Sequence, residues 1–509
     1  MTRLHTVSAA LLASTALASP VWADLTPQQV WDQTLTMMTM APGAESTVGA
    51  TETEGDTLVV RDVVISSDIS SEEEMFGEVM KSRQYNTVTY PEMRFTDNGD
   101  GTVTMTYGAP MSMVLGGEDT YTDPFEIKMS IDMTDYEDKI SGTPESQRHE
   151  FSFSSTRMAL DEIVKGEGKV NGPTQAVLND GKGWFTVETG DVIRIETEGS
   201  MANMAFNADV SMEDGSFKMV GALDELAIEG FVAFPKDFGQ NEDMDVYPEG
   251  LAMDIRYNTG AGSYQVEAET PDGPVSVSAS GGGESFALAM STDGFSMDGA
   301  SRDMKMSITA AQMPFPIDVS ASEFGLGFAI PFGPNEEPER AALSVDIADL
   351  AVNDGIWNLL DPGENLPRDP ATLRIGVEAM VKALFDVTDP DATAMNEVPF
   401  DPYTAKITAL EIDAVGLKVN GSGEVEFDKN DMTSYPGMPA PIGAINLTAE
   451  GANGLIDNLI KMGLIPEDQA MMGRMMMGMF AKPTGDDALS SDIEFKEGGQ
   501  VFANGQRLK

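Results

Sequence analysis

The chain of 509 residues has no cysteine and carries 84 acidic against 31 basic residues, a formal net charge of -53 at pH 7. Disulfides, thiolate metal sites and an acylated-cysteine anchor are therefore excluded, and so diffuse an acidity repels nucleic acid and anionic lipid headgroups, whose phosphates draw on clustered Lys and Arg. With 41% hydrophobic residues and 50 glycines the chain has the means to bury sizeable cores, which a disordered polymer lacks.

At the N-terminus, Arg3 and His5 precede an apolar stretch from Val7 to Ala18, and Ser19, Pro20, Val21, Trp22 and Ala23 follow. This is the pattern of a secretory signal peptide, residues 1–23, with Val21 and Ala23 as the small residues that the peptidase reads and cleavage after Ala23. Export to a Gram-negative periplasm is the expectation. The stretch is shorter than the roughly 20 residues that span a bilayer, and no later segment of the sequence is long and apolar enough to do so.

Immediately after the cut, Thr26 suits an N-cap, Pro27 the first helical position and Gln29 a capping box, which predicts a helix to about Met40 with Val30, Trp31, Leu35 and Met38 as its contacts. The pattern then turns to strands: Thr57 to Ile65, Val88 to Phe95, Thr102 to Tyr107, Phe125 to Met133 and Phe151 to Met158 alternate apolar with polar residues. Asp97 to Gly101 reads as a hairpin turn rather than a calcium loop, because Gly99 occupies a position where an EF-hand needs a side-chain oxygen. The meander continues through Trp184 to Glu198, Ala205 to Met212, Ser216 to Ala222 and Glu225 to Phe234. From Met253 to Ile330 the expected strands alternate with turns at Gly260 to Gly262, Pro271 to Pro274, Gly281 to Gly283 and Asp293 to Gly294. No Lys and Ser/Thr follow the glycines at P-loop spacing, so a tight turn is the reading there.

The fold class expected is mainly β (α+β), a large extended antiparallel meander with a few packed helices at the N- and C-termini. Pro331, Pro334 and Pro338 mark a linker at 331–340 between two β-rich domains, 24–330 and 341–509. Between Thr372 and Asp386 the apolar residues fit both a helix and an alternating strand, and the residues leave that choice open. Glu467 to Lys482 reads as a helix with Met471, Met475 and Met479 on one face and Met472 and Met476 on the next. Thioethers suit Cu(I); the plainer account is that adaptable methionines pack this helix against the sheet or, with Phe480, form an apolar groove or lid.

Trp357, Asn358, Leu359, Leu360, Asp361 and Pro362, followed by Leu366, Pro367, Arg368, Asp369 and Pro370, resemble the pattern of an uncharacterised family of exported alphaproteobacterial proteins, domain of unknown function 2125. The likeness extends over most of the chain after the signal, including Lys406 to Glu426, Leu455 to Leu464 and a final hairpin at Asp492 to Leu508. It implies a strand at Thr372 to Asp386 and assigns no catalytic residue. Glu494 to Gly499 with Ala503, Asn504 and Gly505 also resemble the closing hairpin of another envelope family with long repetitive sheets, which implies an extended, curved sheet.

Past the signal the only imidazole is His149, in no zinc-protease motif, and no Gly-x-Ser-x-Gly elbow is present. The 84 acidic residues admit a carboxylate pair, but few aromatic residues are available to stack on sugars. The expectation is a non-enzymatic envelope protein that binds or scaffolds, with a lipid or another envelope protein as partner and no cofactor, metal or nucleic acid. An acidic calcium-linked structural or adhesive protein is the alternative and a carboxylate-based hydrolase the third reading.

Overall fold

The computed structural model describes residues 25–40, 43–75, 78–165, 168–170, 172–212, 215–236, 238, 248, 250–334, 336–388 and 399–509; the expected signal peptide and its cleavage site lie outside them. Among the described residues, 27 strands join one sheet, in which every pairing is antiparallel. The expected fold class holds. Strand follows strand as neighbours, as in β1 (Ala44–Glu54) on β2 (Thr57–Met75) and β2 on β3 (Glu78–Asp97). The strands are longer than the sequence runs: β11 (Val192–Met212) and β12 (Gly215–Pro235) have 21 residues each.

The N-terminal helix, Pro27–Met38, forms as its capping box requires, with the Thr26 hydroxyl accepting from the Gln29 amide at 3.3 Å and Gln29 Oε1 accepting from the Thr26 amide at 3.0 Å. It lays Val30 and Trp31 onto Leu58, Val60, Val63, Ile65, Met93 and Phe95, which with Val103, Met105 and Ile140 form the main buried core. The Asp97 to Gly101 turn is the expected hairpin, since Gly99 and Gly101 take positive φ and Asp97 accepts from the Gly99 amide.

Three strand expectations need correction. Trp184 to Glu198 is not one run, because Thr189 to Asp191 turn the chain between β10 (Thr174–Glu188) and β11. Ser216 to Ala222 and Glu225 to Phe234 are one strand, β12. Gly260 to Gly262 and Gly281 to Gly283 are not hairpin turns. β13 (Ala252–Thr259) and β14 (Gly262–Thr270) pair with β12 end to end in one register, and β15 (Gly273–Gly281) and β16 (Gly283–Met290) do the same along β17 (Gly294–Ala310). Pro271 to Pro274 and Asp293 to Gly294 are true reversals.

Those glycines belong to a seam that crosses the strands. Asp62, Asp135, Asp180, Glu225, Asp303 and Asp349 hold φ between 46° and 53° inside the sheet, a left-handed conformation that Asp and Asn tolerate better than most side chains. Cross-strand pairing lapses at these positions, as between Arg302 and Met304 of β17 against the strand that follows it. Leu58 and Val60 on one side of Asp62 and Val63 and Ile65 on the other enter the same core, so the inward parity shifts by one residue at the seam. Pairing resumes in the same register beyond it, Arg61 with Glu92 and Val63 with Tyr90.

The segment expected to be a linker, 331–340, connects β18 (Ile317–Pro331) to β19 (Glu339–Val352), which pair directly in the sheet. Ala371–Ala383 is a strand, β20, which decides the open choice at Thr372 to Asp386 as the resemblance implied. A short helix at Asp354–Leu360, which the sequence did not announce, is capped by Asn353. At the C-terminal end, helices Ala452–Lys461 and Glu467–Phe480 pack on each other, and the first of them also touches β22 (Leu417–Asp428).

Candidate functional site

Alternation along each strand, together with the register, sorts the side chains onto two unlike faces. On one, Met253, Ile255 and Tyr257 of β13 lie opposite Met290, Leu288 and Phe286 of β16. The row continues through Phe295 and Met297, then Phe324, Leu326 and Phe328, then Leu343, Val345 and Ile347, to Leu373, Ile375 and Val377. On the other face stand charged and small residues: Arg256 donates to Asp254, Arg340 to Glu378 and Arg374 to Glu411, at 2.8 to 2.9 Å.

Among the described residues nothing covers the apolar face here. Phe324, Leu326, Phe328, Leu343, Ile375 and Val377 are all exposed, Leu343 by 48%, whereas Gly325, Gly327 and Ala329 on the opposite face are buried. Beyond the seam the same face continues through Met304, Met306 and Tyr264, also exposed. A hollow of about 230 Å³ lies between Tyr257, Phe286, Met297, Phe324 and Leu326, and a depression of about 900 Å³ bordered by Tyr264, Met306 and Val319 together with Lys305 and Asp318 lies across the seam. Burying such side chains is worth about 25 cal/mol per Å² of apolar area removed from water, so a contiguous exposed row is a standing driving force for a ligand.

The structure places Met471, Met472, Met475, Met476, Met479 and Phe480 on the helix Glu467–Phe480, all exposed, Met475 by 65%. Of the two expectations, packing of these methionines against the sheet is corrected: Ala470 is the helix's buried residue, and the inner side is marked by Ala470, Gly473, Arg474 and Met477 at helical spacing. Arg474, on that inner side, donates to Asp457 Oδ1 at 2.6 Å and to the Asn453 carbonyl at 3.3 Å, and the flanking methionines lie on the outer side.

The lone imidazole and the family-like segment are each held by internal hydrogen bonds. His149 Nδ1 lies 2.7 Å from Asp138 Oδ2, both residues buried, with the imidazole stacked on Phe185 at 4.1 Å, and Nε2 is buried without a partner among the described residues. In the family-like segment, buried Asp361 accepts from the Leu366 amide at 2.7 Å and from Asn365 at 2.9 Å, while Arg368 donates to Asn358 and to the Asp361 carbonyl. Burial resists ionisation of Asp361, but these donors outweigh it and hold its carboxyl below the usual range. The motif locks the loop between the short helix and β20.

One titratable group stands apart from anything the sequence singled out. Burial raises the pKa of Asp346 on the polar face and the carboxylates of Glu323 and Asp298 add to this, against the opposing charge of Arg374. Arg374 reaches Glu411 at 2.9 Å, Glu323 at 3.7 Å and Asp346 at 3.8 Å, a shared ion-pair network among strands, legible only once the register is known. Among the described residues no group of three or more His, Asp or Glu is arranged to hold a metal ion, and no helix is long and apolar enough to cross a membrane.

Residues 262–505 match the model of a family described as an uncharacterized protein conserved in bacteria (DUF2125). The match begins at the start of β14, so it is narrower than the extent read from the residues. No curated protein matches the chain.

Proposed function

We propose that this protein is an exported, non-enzymatic carrier that holds the acyl chains of a lipid against the apolar face of its sheet. The observation that carries the reading is the uncovered row Phe324, Leu326, Phe328 and Leu343, continued by Ile375 and Val377, on a face where Glu284 is the charged residue bordering the hollow. An extended apolar surface suits a chain-like ligand better than a compact one. Orientation would come from a few polar groups at its margin, as in other apolar sites. The N-terminal pattern of residues 1–23 supports a periplasmic location, where the ligand would be an envelope lipid.

The test is titration of a fluorescent long-chain fatty acid into the purified chain and into Leu326→Asp and Leu343→Asp. Both positions are exposed, so the variants should melt as the parent does and lose binding at least tenfold. A parent that fails to bind the probe, or variants that bind it equally well, would remove the proposal.

A further inference from the structure

We infer that the C-terminal helical hairpin, Ala452–Lys461 with Glu467–Phe480, is a docking element for the surface of a zwitterionic lipid bilayer. Met471, Met472, Met475, Met476 and Met479 of the second helix and Leu464 of the turn are each more than half exposed. A helix that turns its apolar side outward lacks the packing that stabilises most helices. This one also carries Gly473 and Gly478 in its interior and has no side-chain N-cap, each of which weakens it further.

The outward apolar side is nevertheless held firmly. Arg474 ties the second helix to Asp457 and Asn453 of the first. The Phe480 carbonyl accepts from Ser491 Oγ at 2.6 Å and from Asn504 Nδ2 at 2.9 Å, which pins the helix end to the last strands. At the other end, the Asp487 carboxylate accepts from the Asn453 and Gly454 amides at 3.0 and 2.9 Å and caps the first helix. A patch anchored at three points is presented rather than loosely attached.

Charge selects the occupant. The chain as a whole carries -53, but the two helices carry Asp457, Glu467 and Asp468 against Lys461 and Arg474, a net of -1. A nearly neutral, apolar surface on an acidic protein fits a neutral headgroup layer; an anionic one would be repelled by the rest of the molecule. Unbranched methionines adapt to an irregular, fluid surface, and an interfacial helix buries its apolar side by lying in the plane of the membrane. Leu359 and Leu360 of the short helix, at the same end of the strands, are also exposed, by 70% and 66%. The inference rests on the carrier function proposed above and names the bilayer from which the ligand would be drawn.

The purified chain is mixed with phosphatidylcholine vesicles and floated through a density gradient, in parallel with the double variants Met472→Asp/Met475→Asp and Met472→Gln/Met475→Gln. The parent should float with the vesicles; the Asp variant should stay at the bottom and the Gln variant float at least severalfold less. Both should retain the parent's melting curve and its affinity for the soluble fatty-acid probe. A parent that stays at the bottom, or an Asp variant that floats as well as the parent, overturns the inference. So does a parent dimer that the Asp variant converts to monomer without vesicle binding, which would assign the patch to a second copy. Flotation that depends on the methionines in a chain that ignores the fatty-acid probe would sink the carrier function and leave the docking element standing.

Discussion

The Ser322 hydroxyl donates to Oδ2 of Asp349 at 2.7 Å across the pairing of β18 with β19, and Asp349 holds φ at 51° within its strand. The same arrangement occurs earlier in the sheet, where Ser154 donates to Asp135 at 2.8 Å and Asp135 has φ of 53°. A short acidic side chain is thus used where the strand must turn its inward parity by one residue, and the neighbouring serine satisfies the carboxylate.

From this, Asp349→Gly should leave stability within about 1 kcal/mol of the parent, because glycine takes the left-handed region freely and the gain offsets the lost hydrogen bond. Asp349→Val should cost about 1–3 kcal/mol, since a β-branched residue is strained there. Urea melts of the two variants check the ordering, and equal stabilities would show that the seam is not set by backbone conformation.

At the N-terminal end, Trp31 is buried against Phe95 with ring centroids 5.8 Å apart. Trp31→Ala should cost about 3–5 kcal/mol, and Thr26→Ala about 1 kcal/mol through the lost cap. Hydrogen exchange should localise both effects to residues 27–38 and to the facing parts of β2 and β3, with Trp31→Ala much the larger.

His149 and Asp138 make a different test, because each leaves atoms without partners: Asp138 Oδ1, His149 Nε2 and both amide atoms of Gln147 are buried and unsatisfied. His149→Leu strands the Asp138 carboxylate and should cost about 1–3 kcal/mol or more, whereas Asp138→Leu combined with His149→Phe should recover much of it, since removing both partners leaves nothing unpaired. A double variant less stable than His149→Leu in denaturant melts would argue that the polar pair itself is needed.

Asp431 supplies the acid-pH test. The Ser434 hydroxyl, helped by the Ser434 and Thr433 amides, lowers its pKa to about 2. A depressed carboxylate adds stability above its unfolded pKa of roughly 3.9 and loses that contribution as pH falls through the folded value. Asp431→Asn should therefore melt below the parent at pH 6, and the gap should shrink from about pH 4 downward and close near pH 2. A gap that stays constant with pH would mean that the loss is steric.

Short-range chemistry was legible in the sequence. The Thr26 and Gln29 capping box, the Asp97 to Gly101 turn and the helix under Met471 to Met479 each depend on residues a few positions apart, and each was found where the pattern placed it; alternation identified the strands but not always their ends, as at Trp184 to Glu198. What depends on distant partners was not legible. Gly260 to Gly262 look like a hairpin turn until β12 is seen running past both flanking strands, and Ser322 beside Asp349 has no sequence signature at all. The methionines fit a helix equally well whether they face the sheet or solvent. The structure packs Ala470 inward and joins Arg474 to Asp457, which leaves the methionines outside. Whether Phe324, Leu326 and Phe328 were core or surface was likewise undecidable from alternation, which assigns residues to a face but cannot say whether another layer covers it. The tertiary structure decided that, because coverage depends on where the rest of the chain goes: its helices cap the ends of the sheet and leave the apolar row between them open.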